Sequence, residues 1–563
     1  MKVIVIGGVA CGPKAAARIR HRDPESEITV IDGGKHLSYA GCGLPYFVAG
    51  AVPEIEGLMT TSSGILRDKN FFEDVKGINV KTDTEAIKID REKKTVTVRD
   101  IESAETEELP YDKLVLATGA SPVIPPIEGI DLKKVYTLRK PADAAVIRND
   151  IEAGDADRIC IIGAGRIGLE AADAFGAQAV DTTIVEQAEH VLPTFLDPEM
   201  ADYTEVVLRK EKVEIFPGET VIRLEGDADG NVNKVITDKR EIETDAVLIG
   251  VGVKPNITLA KEAGLETGDI GALAVDDHMR TNDPDIYAGG DCVECTNILT
   301  GKKVFNPLGS VANRQGRVIG NNVTGGDDVF PGVLGTSILK TLGINVAKTG
   351  LTETEAKKLG YKTVTSLNPS GDKSHFFPGG KYILLKLVVD AETRKILGAQ
   401  AVGAGEVAKQ IDTLVAAISF GATVDEAAKI DICHAPPFSN AISNVAHSCN
   451  IARNKLDGLI QTISPLEMKE MIENGDDFIL LDLRTKKENE ANNVKRKDVV
   501  CMPQDELRAR IDELPKDKTI VVTCQVGLKT YDSFRAVIAG AGCADIRLLE
   551  GGLHVWFNCG YDD

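Results

Sequence analysis

Apolar residues run almost unbroken through K2-V-I-V-I6, a β-branched stretch suited to a buried parallel strand. The glycines of G7-G-V-A-C-G12 then allow a tight turn into a helix. A second apolar run, I28-T-V-I31, ends at Asp32, twenty residues after Gly12. The same alternation returns at R158-I-C-I-I-G-A-G-R-I-G-L-E170, with Gly163, Gly165 and Gly168 in the turn and T182-T-I-V-E186 as the next strand. Near the other end, T462-I-S-P-L-E467 offers a helix cap. F478-I-L-L-D-L-R484 reads as a strand closing in a charged turn, and T519-I-V-V-T-C524 as a buried strand that delivers a cysteine to its edge.

The two glycine turns have a chemical meaning. A dinucleotide lays its pyrophosphate on a helix N-terminus, where unpaired N–H groups and the helix dipole favour an anion, while an acid one strand further accepts from a ribose hydroxyl. Asp32 and Glu186 hold that position. The first turn has Val9 where a middle glycine is usual, so the second turn is the stronger of the two. Glu186 suits a free 2′-hydroxyl and repels a 2′-phosphate, and Gln187 follows it in place of an arginine, which favours NADH with NADPH as the alternative. The competing reading of Glu186 is a solvated strand end.

The chain has 563 residues, which at roughly 150 per domain suggests about three or four domains. No apolar run approaches the roughly 20 residues that cross a bilayer. The start lacks a basic leader and a small-residue cleavage site, so the expected location is the cytoplasm, without membrane association. A net charge of −21 argues against nucleic acid as a partner and makes an anionic ligand depend on a local basic patch. Eleven scattered cysteines do not form a disulfide framework. In a reducing compartment each is a buried small side chain or a reactive thiol.

L114-V-L-A-T-G-A120 and T281-N-D-P-D-I-Y-A-G-G-D291, together with the two turns, resemble the flavoprotein disulfide reductases. The resemblance implies FAD on the first site, with Gly7, Gly12, Asp32, Thr118, Gly119 and Asp291 around it, and NADH on the second, with Gly163, Gly165, Gly168 and Glu186. The fold class expected is α/β: this resemblance implies two Rossmann-like dinucleotide-binding domains and an α+β dimerisation domain, and the resemblance carried by D482-L-R484 and C524-Q-V-G-L-K529 implies a C-terminal α/β rhodanese domain. The expected ranges are 1–112 with 246–325 for FAD, 113–245 for NADH, 326–455 for dimerisation and 460–563 for the rhodanese.

Disulfide reductases of the glutathione type carry two cysteines beside the flavin, but here none follows Cys42 until Cys160. A lone cysteine stores oxidising equivalents only as a sulfenate or as a mixed disulfide with an outside thiol. S38-Y-A-G-C-G-L-P-Y46 is similar to the coenzyme A disulfide reductase branch, which implies coenzyme A as the outside thiol and places Tyr39 on the substrate side. The sister branch of NADH oxidases and peroxidases has a histidine where this chain has Ala10, so the acid/base partner for peroxide is missing. Lys14, Arg18 and Arg22 share one helix face, read either as a grip on coenzyme A phosphates or as an ordinary solvated face.

G335-T-S-I-L-K340, I396-L-G-A-Q-A-V-G403 and C433-H-A-P-P-F-S439 resemble the dimerisation domain of the same family, implying a homodimer. His434 stands where the coenzyme A branch commonly has tyrosine; it is a candidate proton donor to a leaving thiolate or a packed loop residue. Cys11 at a helix N-terminus competes with the pyrophosphate for that end, and Cys292 with Cys295 lack a second ligand pair for zinc, so packing is the expected role of all three.

D482-L-R484, C524-Q-V-G-L-K529 and L549-E-G-G-L-H-V-W556 resemble a single rhodanese domain, implying a persulfide carried on Cys524. Lys529 closes the loop in place of the usual arginine, which weakens a bidentate grip on an oxyanion. The whole chain is similar to the NAD(P)H-dependent persulfide and polysulfide reductases, with Cys42, Cys524 and His434 as catalytic candidates and Lys14, Arg18, Arg22, Tyr39 and Lys529 on the substrate side. The alternatives are plain coenzyme A disulfide reduction, NADH oxidation, and a sulfur-relay or redox-sensing protein with a structural flavin.

Overall fold

The computed structural model describes residues 1–540, 542–543 and 545–561, so the last two residues of the expected 460–563 range, with 541 and 544, lie outside the described residues. The chain forms two compact units. One holds residues 1–187 and 219–333, the other 188–218 and the chain from 334 onward.

In the first unit, the run of β-branched side chains from Val3 to Ile6 is buried on both faces, as a central parallel strand requires. Strand Lys2–Ile6 lies between Glu27–Ile31 and Lys113–Leu116, with Asn79–Lys81 and Ile286–Ala288 at the edges, all parallel. Helix Cys11–Arg22 packs Ala15, Ala16 and Ile19 on this sheet. A second parallel sheet runs Asp181–Glu186, Arg158–Ile162, Ala246–Ile249 and Val135–Tyr136, with helix Arg166–Ala177 against it. Both glycine turns therefore lie at carboxyl ends of central strands, where ligands of such sheets bind.

The expected α/β class with two such domains is the architecture found, but three boundaries move. Lys113–Leu116 belongs to the first sheet and not to the second domain, and Ala246–Ile249 belongs to the second sheet and not to the first. An apolar strand carries no mark of the neighbour it will pair with, so a boundary drawn beside one errs by its length. Residues 188–218, expected within the NADH-binding domain, cluster with the second unit.

That second unit contains a five-stranded antiparallel sheet in the order Ser337–Thr341, Ile344–Gly350, Ile396–Gly403, Tyr382–Asp390, Thr363–Gly371. Helices Val407–Ser419 and Asn444–Leu456 accompany it. Helix Pro198–Lys210 is tied to the unit by a buried charge cluster: Lys386 Nζ lies 3.1 Å from Asp197, 2.5 Å from Glu199 and 2.7 Å from Glu353. Burial opposes the ammonium charge, but the three carboxylates outweigh it and hold Lys386 above its ordinary range. Asp197 also accepts from the N–H groups of Glu353 and Thr354 at 2.9 and 3.0 Å, in the first turn of helix Glu353–Lys358. Burial would raise the Asp197 pKa; Lys386 and those N–H groups bring it down to about 2.

The last part of the unit is a five-stranded parallel sheet, ordered Thr462–Ile463, Asp545–Leu549, Thr519–Thr523, Phe478–Asp482, Val499–Cys501. Apolar side chains cover both faces, with Leu481, Ile520 and Val522 on one and Phe478, Leu480 and Trp556 on the other. Ser464 caps helix Pro465–Glu473 in a reciprocal box with Glu467. No helix among the described residues is long and apolar enough to cross a membrane.

Candidate functional site

The first glycine turn is built for close approach. Gly7 has φ +113°, and a Cβ there would stand 2.1 Å from the Ala117 carbonyl oxygen; a Cβ on Gly12 would stand 1.9 Å from the Gly7 oxygen. The second turn repeats this, with Gly163 at φ +105° and Gly168 2.1 Å from the Gly163 oxygen on the same measure. Gly165 has open space, its nearest neighbour being the Gly250 oxygen at 3.8 Å, so backbone there is left uncovered.

The two acids occupy matching places. Asp32 accepts from the Gly8 N–H at 2.6 Å and the Gly34 N–H at 2.7 Å, and Glu186 accepts from the Ala164 N–H at 2.7 Å. Each carboxylate is thus drawn to the residue that follows the first glycine of its own turn. Burial raises the Asp32 pKa above its ordinary value, and the two N–H bonds offset only part of that. A glycine cradle with no room for side chains, followed by an acid beside it, fits a dinucleotide at each turn.

Arg139, which the sequence reading missed, lies between Gly119 and Asp291. Arg139 donates to Asp291 at 2.9 Å and to the Ala120 carbonyl at 3.1 Å, and it is the nearest side chain to Gly119. Thr118 is held by Asn256, whose carbonyl accepts its hydroxyl at 2.6 Å.

Cys42 is exposed in the short turn Gly41–Gly43 that leads into helix Leu44–Val48. Tyr46 lies one turn beyond it; burial raises the Tyr46 phenol, with Glu170, Asp173 and Cys42 adding to the effect. Glu170 itself is pushed up to about 7, by burial first, with Arg166 opposing and Asp173 reinforcing. A thiol, a phenol and a carboxyl that titrates near neutrality therefore share one neighbourhood. Burial also raises Tyr39, against the pull of Arg139.

The basic stripe is not simply solvated. Arg18 donates to Asn321 at 2.5 Å and Arg22 to Thr324 at 2.8 Å, while Lys14 stays exposed. Cys11, Cys292 and Cys295 are buried, and burial pushes all three thiols up, to about 11 for Cys295. Among the described residues no group of three or more His, Cys, Asp or Glu is arranged to hold a metal.

The second unit carries the other candidates. His434 and Cys433 are exposed, in a loop closed on itself by the Ser439 hydroxyl, which donates to the Cys433 carbonyl at 2.9 Å. His434 Nδ1 lies 3.1 Å from the Ser439 carbonyl oxygen. A carbonyl only accepts, so Nδ1 carries the proton and Nε2 is left as the free ring nitrogen.

Cys524 is buried at the end of strand Thr519–Thr523, with its Sγ accepting from the Gly527 N–H at 3.2 Å. Gly527 has φ +90° and opens helix Leu528–Ala536. Lys529 lies 3.9 Å from Glu488. Asp482 and Arg484 form a buried pair at 2.8 Å, and Asn489 donates to the same carboxylate at 2.9 Å, which fixes the neighbouring strand end.

Three stretches of the chain match known families. Residues 1–316 match the pyridine nucleotide-disulphide oxidoreductase family, residues 337–446 its dimerisation domain, and residues 464–559 a rhodanese-like domain. The chain is 40% identical over 437 residues, 78% of its length and 95% of the relative's, to an NAD(P)H sulfur oxidoreductase (CoA-dependent) of Pyrococcus abyssi. It is 35% identical over 457 residues, 81% of its length and 99% of the relative's, to an NADH oxidase of Methanocaldococcus jannaschii. Among solved structures, the NAD-dependent persulfide reductase from A. fulgidus superimposes with a TM-score of 0.94 at 43% identity, covering 99% of this chain and all of that one. The reduced Bacillus anthracis CoADR-RHD superimposes at 0.91 with 32% identity, covering 99% and 98%. The chain belongs to the pyridine nucleotide-disulphide oxidoreductase family and continues into a rhodanese-like domain.

Proposed function

We propose that this protein reduces persulfides or polysulfides with NAD(P)H through a single thiol, Cys42, and uses Cys524 as a sulfur carrier. One observation carries the reading: the reductase part has one exposed cysteine in its glycine-flanked turn, free of any disulfide partner among the described residues, while the rhodanese-like loop keeps its own cysteine. A lone thiol of this kind works only with a sulfur brought from outside.

Gly7, Gly12, Asp32, Thr118, Gly119 and Asp291 would hold FAD, and Gly163, Gly165, Gly168 and Glu186 would hold NADH, with NADPH as the weaker ligand. Bound FAD supplies a two-electron relay between the nicotinamide and sulfur. The Cys42 thiolate attacks the inner sulfur of R–S–SH, forming Cys42–S–S–R as the S–S bond breaks and hydrosulfide leaves. Two electrons then return Cys42 to the thiolate and release R–S⁻. The net change is R–S–SH + NADH + H⁺ → R–SH + H₂S + NAD⁺. Glu170, ionising near neutrality, is suited to hold the proton that the departing sulfur takes.

Coenzyme A is the proposed R–SH, with Tyr39 and the exposed Lys14 on its path and Arg18 and Arg22 available once they leave Asn321 and Thr324. The proposed assembly is a homodimer. His434, with Nδ1 held by the Ser439 carbonyl, is the proposed proton donor to the leaving thiolate through Nε2, in the imidazolium form in which both ring nitrogens carry a proton. Eleven free cysteines suit the reducing cytoplasm.

The test compares NADH oxidation with coenzyme A persulfide and with coenzyme A disulfide. Faster turnover with the persulfide, with hydrosulfide released one for one, supports the reading. A clear preference for the disulfide makes the enzyme a coenzyme A disulfide reductase instead.

A further inference from the structure

The backbone of Cys524 is held from behind by a segment that is itself anchored outside the rhodanese-like domain. The carbonyl oxygens of Cys524 and Gln525 accept from the N–H groups of Leu553 and His554 at 2.9 and 2.8 Å. A trans peptide is planar and its N–H points opposite its C=O. Pinning these two carbonyls toward residues 553 and 554 therefore turns the N–H groups of Gln525 and Val526 to the opposite face of the loop. Gly552 permits the approach: it has φ +59°, and a Cβ on it would stand 2.4 Å from the Cys524 oxygen.

The supporting segment is fixed on two sides by residues of the antiparallel-sheet region and of the helix that joins it. Glu550, 8% exposed, pairs with Lys455 of helix Asn444–Leu456. The His554 ring lies on Tyr382, with centroids 4.9 Å apart and planes 28° from parallel. Its Nε2 is 3.2 Å from the Tyr203 hydroxyl on helix Pro198–Lys210. Burial, helped by Lys210, holds the imidazole below its usual range. Between these anchors, Leu367 of strand Thr363–Gly371 closes on Gly551, 3.7 Å from where a Cβ would be.

We propose that Leu549–Trp556 is a strut through which Tyr203, Tyr382 and Lys455 set the cysteine loop, making His554 and Glu550 positioning residues for sulfur transfer at Cys524. The inference rests on Cys524 being a sulfur carrier. In that step its thiolate takes the outer sulfur of R–S–SH, the donor S–S bond breaks, the proton of that sulfur goes to the leaving R–S⁻ to give R–SH, and Cys524–S–S⁻ passes the sulfur to an acceptor. A loop whose N–H groups are misaimed stabilises both the thiolate and the persulfide anion less well.

The experiment uses the full-length holoenzyme with Tyr382→Ala, Lys455→Met, His554→Ala and His554→Gln. Two readouts are taken: alkylation of Cys524 by iodoacetamide against pH, followed by peptide mass spectrometry, and thiocyanate formed from glutathione persulfide and cyanide. The strut predicts that Tyr382→Ala and His554→Ala raise the pH midpoint of alkylation and lower kcat about tenfold, the equivalent of one lost charge-assisted hydrogen bond, with KM unchanged. His554→Gln, which keeps a polar partner for Tyr203, recovers most of the loss. NADH turnover through Cys42 stays at the wild-type rate in Tyr382→Ala and Lys455→Met. An alkylation profile and kcat within twofold of wild type in Tyr382→Ala and Lys455→Met would overturn the strut. A wild-type protein that makes no thiocyanate removes Cys524 as a carrier, and the alkylation profile then still decides the strut.

Discussion

Glu186 accepts a hydrogen bond from the Ala164 N–H at 2.7 Å, the relation that Asp32 holds with Gly8 at 2.6 Å one sheet earlier. Each acid is steered to the mouth of its own turn by a backbone donor, so its place does not depend on a flexible side chain. In the proposed NADH site, Glu186 would accept from the ribose 2′-hydroxyl and would repel a 2′-phosphate. Glu186→Arg is expected to invert the preference, lowering kcat/KM for NADH and raising it for NADPH by about tenfold each, the scale of one charge-assisted hydrogen bond. Steady-state kinetics with the two cofactors checks it.

The glycines at the helix ends make a second, purely steric prediction. A methyl on Gly12 would stand 1.9 Å from the Gly7 oxygen, and one on Gly168 2.1 Å from the Gly163 oxygen. Either turn must open to admit it. Gly12→Ala is expected to destabilise the fold by about 1–3 kcal/mol and to loosen the first dinucleotide, read as a lower melting temperature and flavin lost on gel filtration.

How much of this was legible in the sequence depended on how local each feature is. The glycine turns, the acids at the strand ends and the cysteine of the last loop are set within some twenty residues, and spacing alone located them. Arg139 meets Asp291 across 152 residues and Lys386 meets Glu199 across 187, and no local pattern announces such pairs. For the same reason nothing local shows that helix Pro198–Lys210 clusters with the second unit: its apolar face fits any neighbour, and its partners are chosen by buried charges far along the chain. The basic stripe was seen as a stripe, but that Arg18 and Arg22 are engaged by Asn321 and Thr324 was not.

The charge cluster can be broken from one side. Lys386→Met leaves Asp197 and Glu199 buried without their cation, and removing one partner of a buried pair costs about 3–5 kcal/mol. Chemical denaturation at neutral pH is expected to show a loss of that order. The loss shrinks in acid as the stranded carboxyls take up protons.

Glu170 gives stability a pH dependence of defined sign. Its folded value of about 7 lies above its ordinary 4.5, so the folded protein binds the proton more tightly than the unfolded chain. That contribution is complete below pH 4.5 and fades as pH rises to about 7, a change on the order of 3 kcal/mol. Glu170→Gln removes it. Relative to wild type, the variant gains stability progressively between these limits and by a constant amount above them, measured by denaturant titration across pH.

The most direct measurement of the central claim is hydrosulfide release from coenzyme A persulfide and NADH by three proteins: wild type, Cys42→Ser and Cys524→Ser. One thiol carrying the electrons predicts that Cys42→Ser loses this activity at least a thousandfold while keeping its flavin, and that Cys524→Ser retains turnover of the small persulfide. Hydrosulfide released by Cys42→Ser at the wild-type rate would contradict the account.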